Sequence, residues 1–146
     1  MLPVSVLIRN RPEPFLLDER LPVAKAASFL RRHRIGGAPV LRDGRLVGFV
    51  SERDIVYRMV AEGRDPDTTK VADVMTGPVI TATVDETVEG CEEKMRRAHV
   101  RHLPILDEDA NIVACLSLRD LLQTELQQAV FEVRCLTEYV QGPLLE

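Results

Sequence analysis

The chain contains nearly the same sequence twice, and this duplication limits the folds open to it. A segment ending in Ser51-Glu52-Arg53-Asp54 returns as one ending in Ser117-Leu118-Arg119-Asp120. Upstream, Ala38-Pro39-Val40-Leu41 returns as Leu103-Pro104-Ile105-Leu106. A repeat of this length is one supersecondary unit copied, and such units usually bury their apolar faces against each other. We therefore expect two similar halves, related by pseudo-symmetry, with two similar clefts.

Hydrophobic periodicity predicts the same order of elements in each copy: a short extended lead-in, a helix, a hairpin and a second helix. Apolar residues of the first copy recur at helical spacing, at Val23, Ala26, Ala27 and Leu30. Asp43-Gly44 lies between two apolar runs and predicts a two-residue hairpin turn. The extended lead-ins fall near Phe15-Leu16-Leu17 and Val79-Ile80-Thr81. The sequence therefore predicts an α+β fold.

The last helix extends beyond the second repeat. Its apolar residues alternate in steps of four and three, at Leu122, Leu126, Ala129, Val133, Leu136 and Val140. This spacing is typical of a coiled-coil seam. The helix could dock on its own module, pair with a second subunit, or belong to a longer signalling helix, and we favour contact in a dimer. Gly142-Pro143 is expected to end it.

Composition argues against several classes of partner. Aromatic residues make up 4% of the chain and the net charge is −4, both unfavourable for nucleic-acid binding. We expect no membrane association, because no stretch is apolar enough to span a bilayer and the N-terminus lacks the basic leader of a signal peptide. Cys91, Cys115 and Cys135 lie in apolar periodic segments, which predicts buried thiols in the reducing cytoplasm.

The repeated Ser-x-x-Asp motif is the best candidate for chemistry. Ser51 and Ser117 each follow a strand and open a helix, where free backbone N–H groups favour an anion such as phosphate. Asp54 and Asp120 lie one turn further on, and a carboxylate there can accept hydrogen bonds from the two hydroxyls of a ribose. Gly48 is expected to let a ligand approach the strand closely.

The same spacing is also typical of a capping box, in which the Ser and Asp side chains satisfy backbone amides at the helix N-terminus. For a single copy, capping is the stronger interpretation. Two copies, each preceded by a similar pair of strands, favour nucleotide binding, because capping alone does not require the upstream pattern to repeat with it.

Together these features resemble the tandem cystathionine-β-synthase (CBS) domain pair, or Bateman module, from Val4 to about Glu125. The resemblance also rests on Val71-Ala72-Asp73-Val74-Met75-Thr76, on Leu103-Pro104, and on the two Gly/Ala-x-x-Ser-x-x-Asp ends. It implies two repeats, each a small three-stranded sheet with two helices, packed sheet to sheet with pseudo-two-fold symmetry. The expected divisions are repeat 1 at 1–66, repeat 2 at 67–124 and a C-terminal helical extension at 125–146.

The resemblance also implies a function. Adenosyl nucleotides (AMP, ADP or ATP) or S-adenosylmethionine are expected in two clefts between the repeats, as regulatory ligands rather than required cofactors. The module would form a homodimer and signal to a partner supplied in trans. By position, the two aspartates would hold riboses and the two serines phosphates. The predicted ligand-binding residues are Ser51, Arg53, Asp54, Val79, Ile80, Thr81, Arg101, His102, Ser117, Arg119 and Asp120.

The two clefts are expected to be unequal. Arg101-His102 precedes the middle strand of repeat 2, whereas Gly36-Gly37 precedes the matching strand of repeat 1. A basic residue at this place accompanies phosphate-tight sites in the family that the chain resembles. We therefore expect Asp120→Ala to weaken nucleotide binding more than Asp54→Ala.

Other functional classes fit the sequence less well. We predict no enzyme activity, because the chain has no Ser-His-Asp order, Cys-His pair or Walker-type loop. We predict no metal site, because His99 and His102 lack further ligands to complete a tetrahedral set. The remaining alternative is a dimerisation or scaffold module whose clefts stay empty.

Overall fold

Each copy of the repeat forms its own three-stranded sheet in the computed structural model, which describes residues 1–142. The first sheet contains β1 (Leu17–Asp18), β2 (Gly37–Arg42) and β3 (Arg45–Ser51), and the second contains β4 (Ala82–Thr83), β5 (His102–Leu106) and β6 (Ile112–Ser117). The short first strand pairs in parallel with the middle strand, which forms an antiparallel hairpin with the third. The two sheets therefore have the same topology.

The helices also occur in matching order. They are α1 (Val4–Ile8), α2 (Val23–His33) and α3 (Glu52–Ile55), then α4 (Val71–Val74), α5 (Val88–Ala98) and α6 (Leu118–Gln141). A π-helical turn, Val56–Val60, continues α3. The prediction of an α+β fold with two repeats and a C-terminal helical extension is confirmed.

The hairpin of repeat 1 turns at the two residues that the sequence indicates. Asp43 and Gly44 have φ angles of 48° and 80°. Positive φ at both central residues is the backbone conformation of a type I′ turn, whose twist matches that of the flanking strands. Asp and Gly are among the residues that adopt this conformation at the lowest cost.

The two hydrophobic cores exchange their first helices. Val71 and Val74 of α4 are buried in the core of repeat 1, although they precede the strands of repeat 2. Val4 of α1 is buried in the core of repeat 2, at the other end of the chain. Burial of each such side chain contributes about 1.5–3 kcal/mol. Each repeat therefore supplies part of the other repeat's core, and the chain crosses twice between the two repeats.

The C-terminal helix leaves the body of the protein after its first turn. Leu121 is buried in the second core, whereas every residue from 125 to 142 is exposed. The prediction of three buried thiols is therefore wrong for Cys135, which is exposed on α6. The apolar residues around Cys135 are spaced as on one face of a helix, but this part of α6 projects away from the core. Gly142 follows the last helical residue, and Pro143 lies outside the described residues.

A pair of acidic side chains joins α5 to the start of α6. Burial raises the pKa of Glu92 to about 7, with further contributions from the hydrogen bond and charge of Glu125 and from the charge of Glu89. Oε1 of Glu92 is buried and has no hydrogen-bond partner among the described residues. Ionisation of Glu92 therefore opposes folding at this junction.

We predict that Glu92→Gln stabilises the protein increasingly as the pH rises. The pKa of Glu92 in the folded protein is about 7, above its ordinary value of 4.5. The stability of the wild type therefore falls as the pH rises from 4.5 to about 7, and it stays low above pH 7. The expected gain at high pH is about 1 kcal/mol, allowing for solvent screening. Thermal unfolding at about pH 4 and pH 8 measures it.

Glu93→Gln is the matched control, since Arg96 and Arg97 lower the pKa of the Glu93 carboxyl through hydrogen bonds. This variant should give no gain at high pH. An equal gain from Glu92→Gln at both pH values would contradict the prediction.

Candidate functional site

Both Ser-x-x-Asp motifs form complete capping boxes. Ser51 N donates to Asp54 Oδ2 at 2.9 Å, and Asp54 N donates to Ser51 Oγ at 3.2 Å. The corresponding distances between Ser117 and Asp120 are 2.8 and 3.1 Å. Capping and ligand binding are compatible, because each carboxylate has a second oxygen and further lone pairs.

The second oxygen of each carboxylate binds a residue from the segment that leads into the other repeat. We call residues 9–16, between α1 and β1, the first lead-in, and residues 75–81, between α4 and β4, the second lead-in. Thr76 Oγ1 donates to Asp54 Oδ1 at 2.8 Å. Arg11 Nη2 lies 3.2 Å from Asp120 Oδ1, and its Nη1 donates to Oδ2 at 3.2 Å. Each motif therefore faces the lead-in of the opposite repeat, so two composite clefts form.

We call these the Asp54 cleft and the Asp120 cleft. Thr76 and Arg11 are 65 positions apart, the same offset that separates the repeated prolines. Pseudo-symmetry therefore gives one carboxylate a neutral partner and the other a cationic partner. Burial alone would raise the pKa of Asp120, but hydrogen bonds from Arg11 and Ser117 outweigh it, so the pKa is lowered.

The second lead-in lines an open cleft of about 520 Å³. The lining residues are Val79, Ile80, Thr81, Lys94, Arg97 and Ala98. The three lead-in residues predicted to bind the ligand therefore lie together, beside two basic side chains of α5. Val79 follows Thr76 by three positions, so the two lie within about 11 Å of each other. The second lead-in thus contacts Asp54 at one end and forms this apolar wall at the other.

Aromatic side chains occupy the matching place in repeat 1. Phe15 of the first lead-in stacks on His33 at 4.1 Å between ring centroids and meets Phe29 edge-on at 5.7 Å. By the 65-residue offset, Phe15, Phe29 and His33 correspond to Ile80, Lys94 and Ala98. A packed aromatic cluster in one repeat thus stands where the other has an open cleft.

His102 lies at the contact between the two sheets. Its ring stacks on Phe49 of β3 at 5.1 Å between centroids. Burial lowers the pKa of His102, although the charges of Asp120 and Glu52 act in the opposite direction. Its counterpart is Gly37, where a Cβ would stand 2.5 Å from the Phe49 ring. The absence of a side chain at Gly37 therefore makes room for the ring that contacts His102.

The remaining predicted residues lie around these groups. Arg53 and Arg119 are exposed, and the Arg53 guanidinium lies over the Tyr57 ring at 5.4 Å. Arg101 is exposed, and its carbonyl accepts a hydrogen bond from Leu118 N at 2.8 Å.

Gly48 makes room for protein, contrary to the expected approach of a ligand. A Cβ at this position would stand 2.4 Å from Met75 Sδ and 3.2 Å from the Thr76 carbonyl oxygen.

The sequence did not predict Arg11 or Thr76 as site residues, although their side chains contact the two carboxylates. Arg11 lies in no recognised pattern, Thr76 served only as part of the family resemblance, and the contacts connect residues as far as 109 positions apart. The repeat offset relates the two residues once one of them is known. It does not show that each lead-in crosses to the other repeat's motif.

Within residues 1–142, no group of three or more His, Cys, Asp and Glu side chains is placed to hold a metal ion. None of the helices in that range is long and apolar enough to cross a membrane.

Known proteins share both the sequence pattern and the fold. The family model of the CBS domain matches residues 7–61 and 71–126, and the chain belongs to this family. The CBS domain-containing protein YhcV of Bacillus subtilis is 33% identical over 104 residues, which are 71% of this chain and 73% of that protein.

Two other relatives extend the comparison. CBSX3, a mitochondrial CBS domain-containing protein of Arabidopsis thaliana, is 28% identical over 82% of this chain and 60% of its own length. The CBS domain protein PAE2072 of Pyrobaculum aerophilum was solved in complex with AMP. It is 31% identical, with a TM-score of 0.73 over 82% of this chain and 89% of that one.

Proposed function

We propose that this protein is a regulatory, non-catalytic module that binds adenosyl nucleotides, or S-adenosylmethionine, between its two CBS repeats. The observation that supports this most directly is the Asp54 cleft. There, a carboxylate that could bind ribose hydroxyls contacts the same lead-in that forms an open, largely apolar wall. A relative 31% identical in sequence binds AMP. The nucleotide is a regulatory ligand in this proposal, not a cofactor.

In the Asp54 cleft, each part of an adenosine has a matching group. The Asp54 carboxylate accepts from the ribose hydroxyls after Thr76 gives up its hydrogen bond. Val79 and Ile80 provide apolar contact for the adenine, and the Thr81 backbone lies beside them. Ser51 is proposed to face the phosphates. The Thr76 hydroxyl costs less to displace from Asp54 than the Arg11 guanidinium costs to displace from Asp120, because only the guanidinium forms an ion pair held by two contacts.

The geometry favours the Asp54 cleft as the stronger site, which reverses the order expected from sequence. That expectation relied on the basic pair Arg101-His102, but the His102 ring is stacked between the repeats and burial lowers its pKa. The Asp120 carboxylate is bound by Arg11, and aromatic rings fill the wall beside the first lead-in. A ligand there has more protein contacts to replace.

Signalling follows from the position of the clefts. A ligand that binds between a motif of one repeat and the lead-in of the other stabilises one arrangement of the two repeats. It shifts their equilibrium only as far as its affinities for the two arrangements differ. The regulated partner is proposed to be a separate cytoplasmic protein, in contact with the module or with α6.

The exposed helix α6 is proposed to pair with α6 of a second copy. Leu126, Val133 and Leu136 on the predicted seam are 65%, 63% and 65% exposed. A lone helix with such a face is marginal in water, and pairing buries the face. Glu125 and Glu132 flank the seam. They would face each other in an antiparallel pair and would face neutral residues in a parallel pair, so we propose the parallel one.

Replacement of Asp54 and Asp120 tests the ligand proposal. Asn caps helices as well as Asp does but lacks the charge, so Asp54→Asn should weaken AMP binding at least about tenfold with little loss of stability. Asp120→Asn should cost less, and the double variant should not bind. Asp43→Asn, in the exposed hairpin turn, is the control. Calorimetric titration with AMP, ATP and S-adenosylmethionine measures the affinities.

If wild-type protein binds none of the three ligands at millimolar concentration, the ligand-sensing proposal fails and the scaffold interpretation is favoured. Losses that are equal for Asp54→Asn and Asp43→Asn would show that the carboxylate of the motif is not the contact.

A charge placed on the seam of α6 tests the dimer. Val133→Glu puts two carboxylates against each other at the centre of the proposed pair and should convert the dimer to a monomer. Gln128→Glu adds the same charge outside the seam and should leave the dimer intact. Analytical ultracentrifugation measures both. A monomeric wild type, or a Val133→Glu variant that remains dimeric, would rule out this interface.

A further inference from the structure

We propose that Arg11 makes the Asp120 cleft selective for adenosine ligands that carry a phosphate. The inference rests on the proposed function, since it concerns a second ligand in the same module. It predicts that the two clefts differ in ligand class as well as in affinity.

Arg11 occupies the positions at the Asp120 carboxylate that the ribose hydroxyls would need. Its two terminal nitrogens lie 3.2 Å from the two oxygens of Asp120, and Ser117 N also donates to Oδ2. The Asp120 and Arg11 side chains are 28% and 31% exposed, so the pair is partly shielded from water. Two ribose hydroxyls can bind this carboxylate only after the guanidinium moves.

The displaced guanidinium of Arg11 needs a new anionic partner. A guanidinium withdrawn from a partly buried carboxylate loses charge-assisted hydrogen bonds, and a neutral ligand offers no replacement. A phosphate on the same ligand does offer one, because arginine binds phosphate through two parallel hydrogen bonds. A phosphorylated ligand therefore exchanges one anion for another, whereas adenosine leaves Arg11 unpaired.

S-Adenosylmethionine is disfavoured more than adenosine in this cleft. Its sulfonium and ammonium groups outweigh its carboxylate and give it a net positive charge, which the positive charge of Arg11 opposes. The Asp54 cleft has no such preference at the carboxylate, because Thr76 is neutral. We therefore expect S-adenosylmethionine to enter the Asp54 cleft only.

The experiment measures the ratio of the dissociation constants of adenosine and AMP, two probes that differ only by the phosphate. The Asp54→Asn variant confines binding to the Asp120 cleft. In that background we expect AMP to bind at least about tenfold more tightly than adenosine, the value of one charge-assisted contact. Adding Arg11→Gln should reduce the ratio to near one, by tightening adenosine and weakening AMP.

Arg9→Ala in the same background is the matched control, because it removes a positive charge from the exposed part of the same lead-in. It should leave the ratio unchanged. Arg11→Lys is a second variant in case Arg11→Gln folds poorly. It keeps the charge but loses the paired geometry, and should give an intermediate ratio.

The outcomes separate this inference from the proposed function. If wild-type protein binds AMP but Arg11→Gln leaves the ratio unchanged, only the selectivity inference is overturned. The same holds if the Asp54→Asn variant does not bind AMP at all. If wild-type protein binds neither AMP nor adenosine, both proposals are overturned together.

Discussion

The exchange of helices α1 and α4 between the two repeats is the constraint on which the rest of the structure depends. Val4 is buried in the core of repeat 2, and Val71 and Val74 are buried in the core of repeat 1. Because each repeat supplies apolar side chains to the other core, the repeats cannot separate without exposing that surface to water. The exchange also carries each lead-in across to the opposite Ser-x-x-Asp motif, which is how the two composite clefts arise.

Pseudo-symmetry makes the clefts similar, and single residues make them different. The backbone hydrogen bonds of the two capping boxes agree to within a few tenths of an ångström. At the next contact, however, one carboxylate meets a neutral threonine and the other a charged arginine. A duplicated unit can in this way keep one backbone frame while the partners of its two carboxylates differ in charge.

Local and periodic features of the fold could be predicted from the sequence. The hairpin at Asp43-Gly44 follows from local turn chemistry, and the helices follow from apolar spacing. Burial along α6 could not be predicted in the same way, because an apolar stripe indicates a helix face without indicating what covers it. Cys135 illustrates this: it lies in a periodic segment and yet is exposed.

The candidate site was predictable in part. Comparison of the two repeats singled out the motif residues, which cap their helices, and lead-in residues 79–81, which line one open cleft. Arg11, Thr76 and the stacking of His102 on Phe49 depend on how the halves pack, which no local pattern reports. Burial in that packing also lowers the pKa of His102, so a cationic ring is less favourable there than in water.

A crystal structure of the protein grown with AMP tests the central claim most directly, because it locates the nucleotide relative to both carboxylates. We expect AMP in the Asp54 cleft, with its ribose hydroxyls hydrogen-bonded to Asp54 and its adenine against Val79 and Ile80. AMP bound away from both clefts, or with its ribose directed away from Asp54 and Asp120, would contradict it.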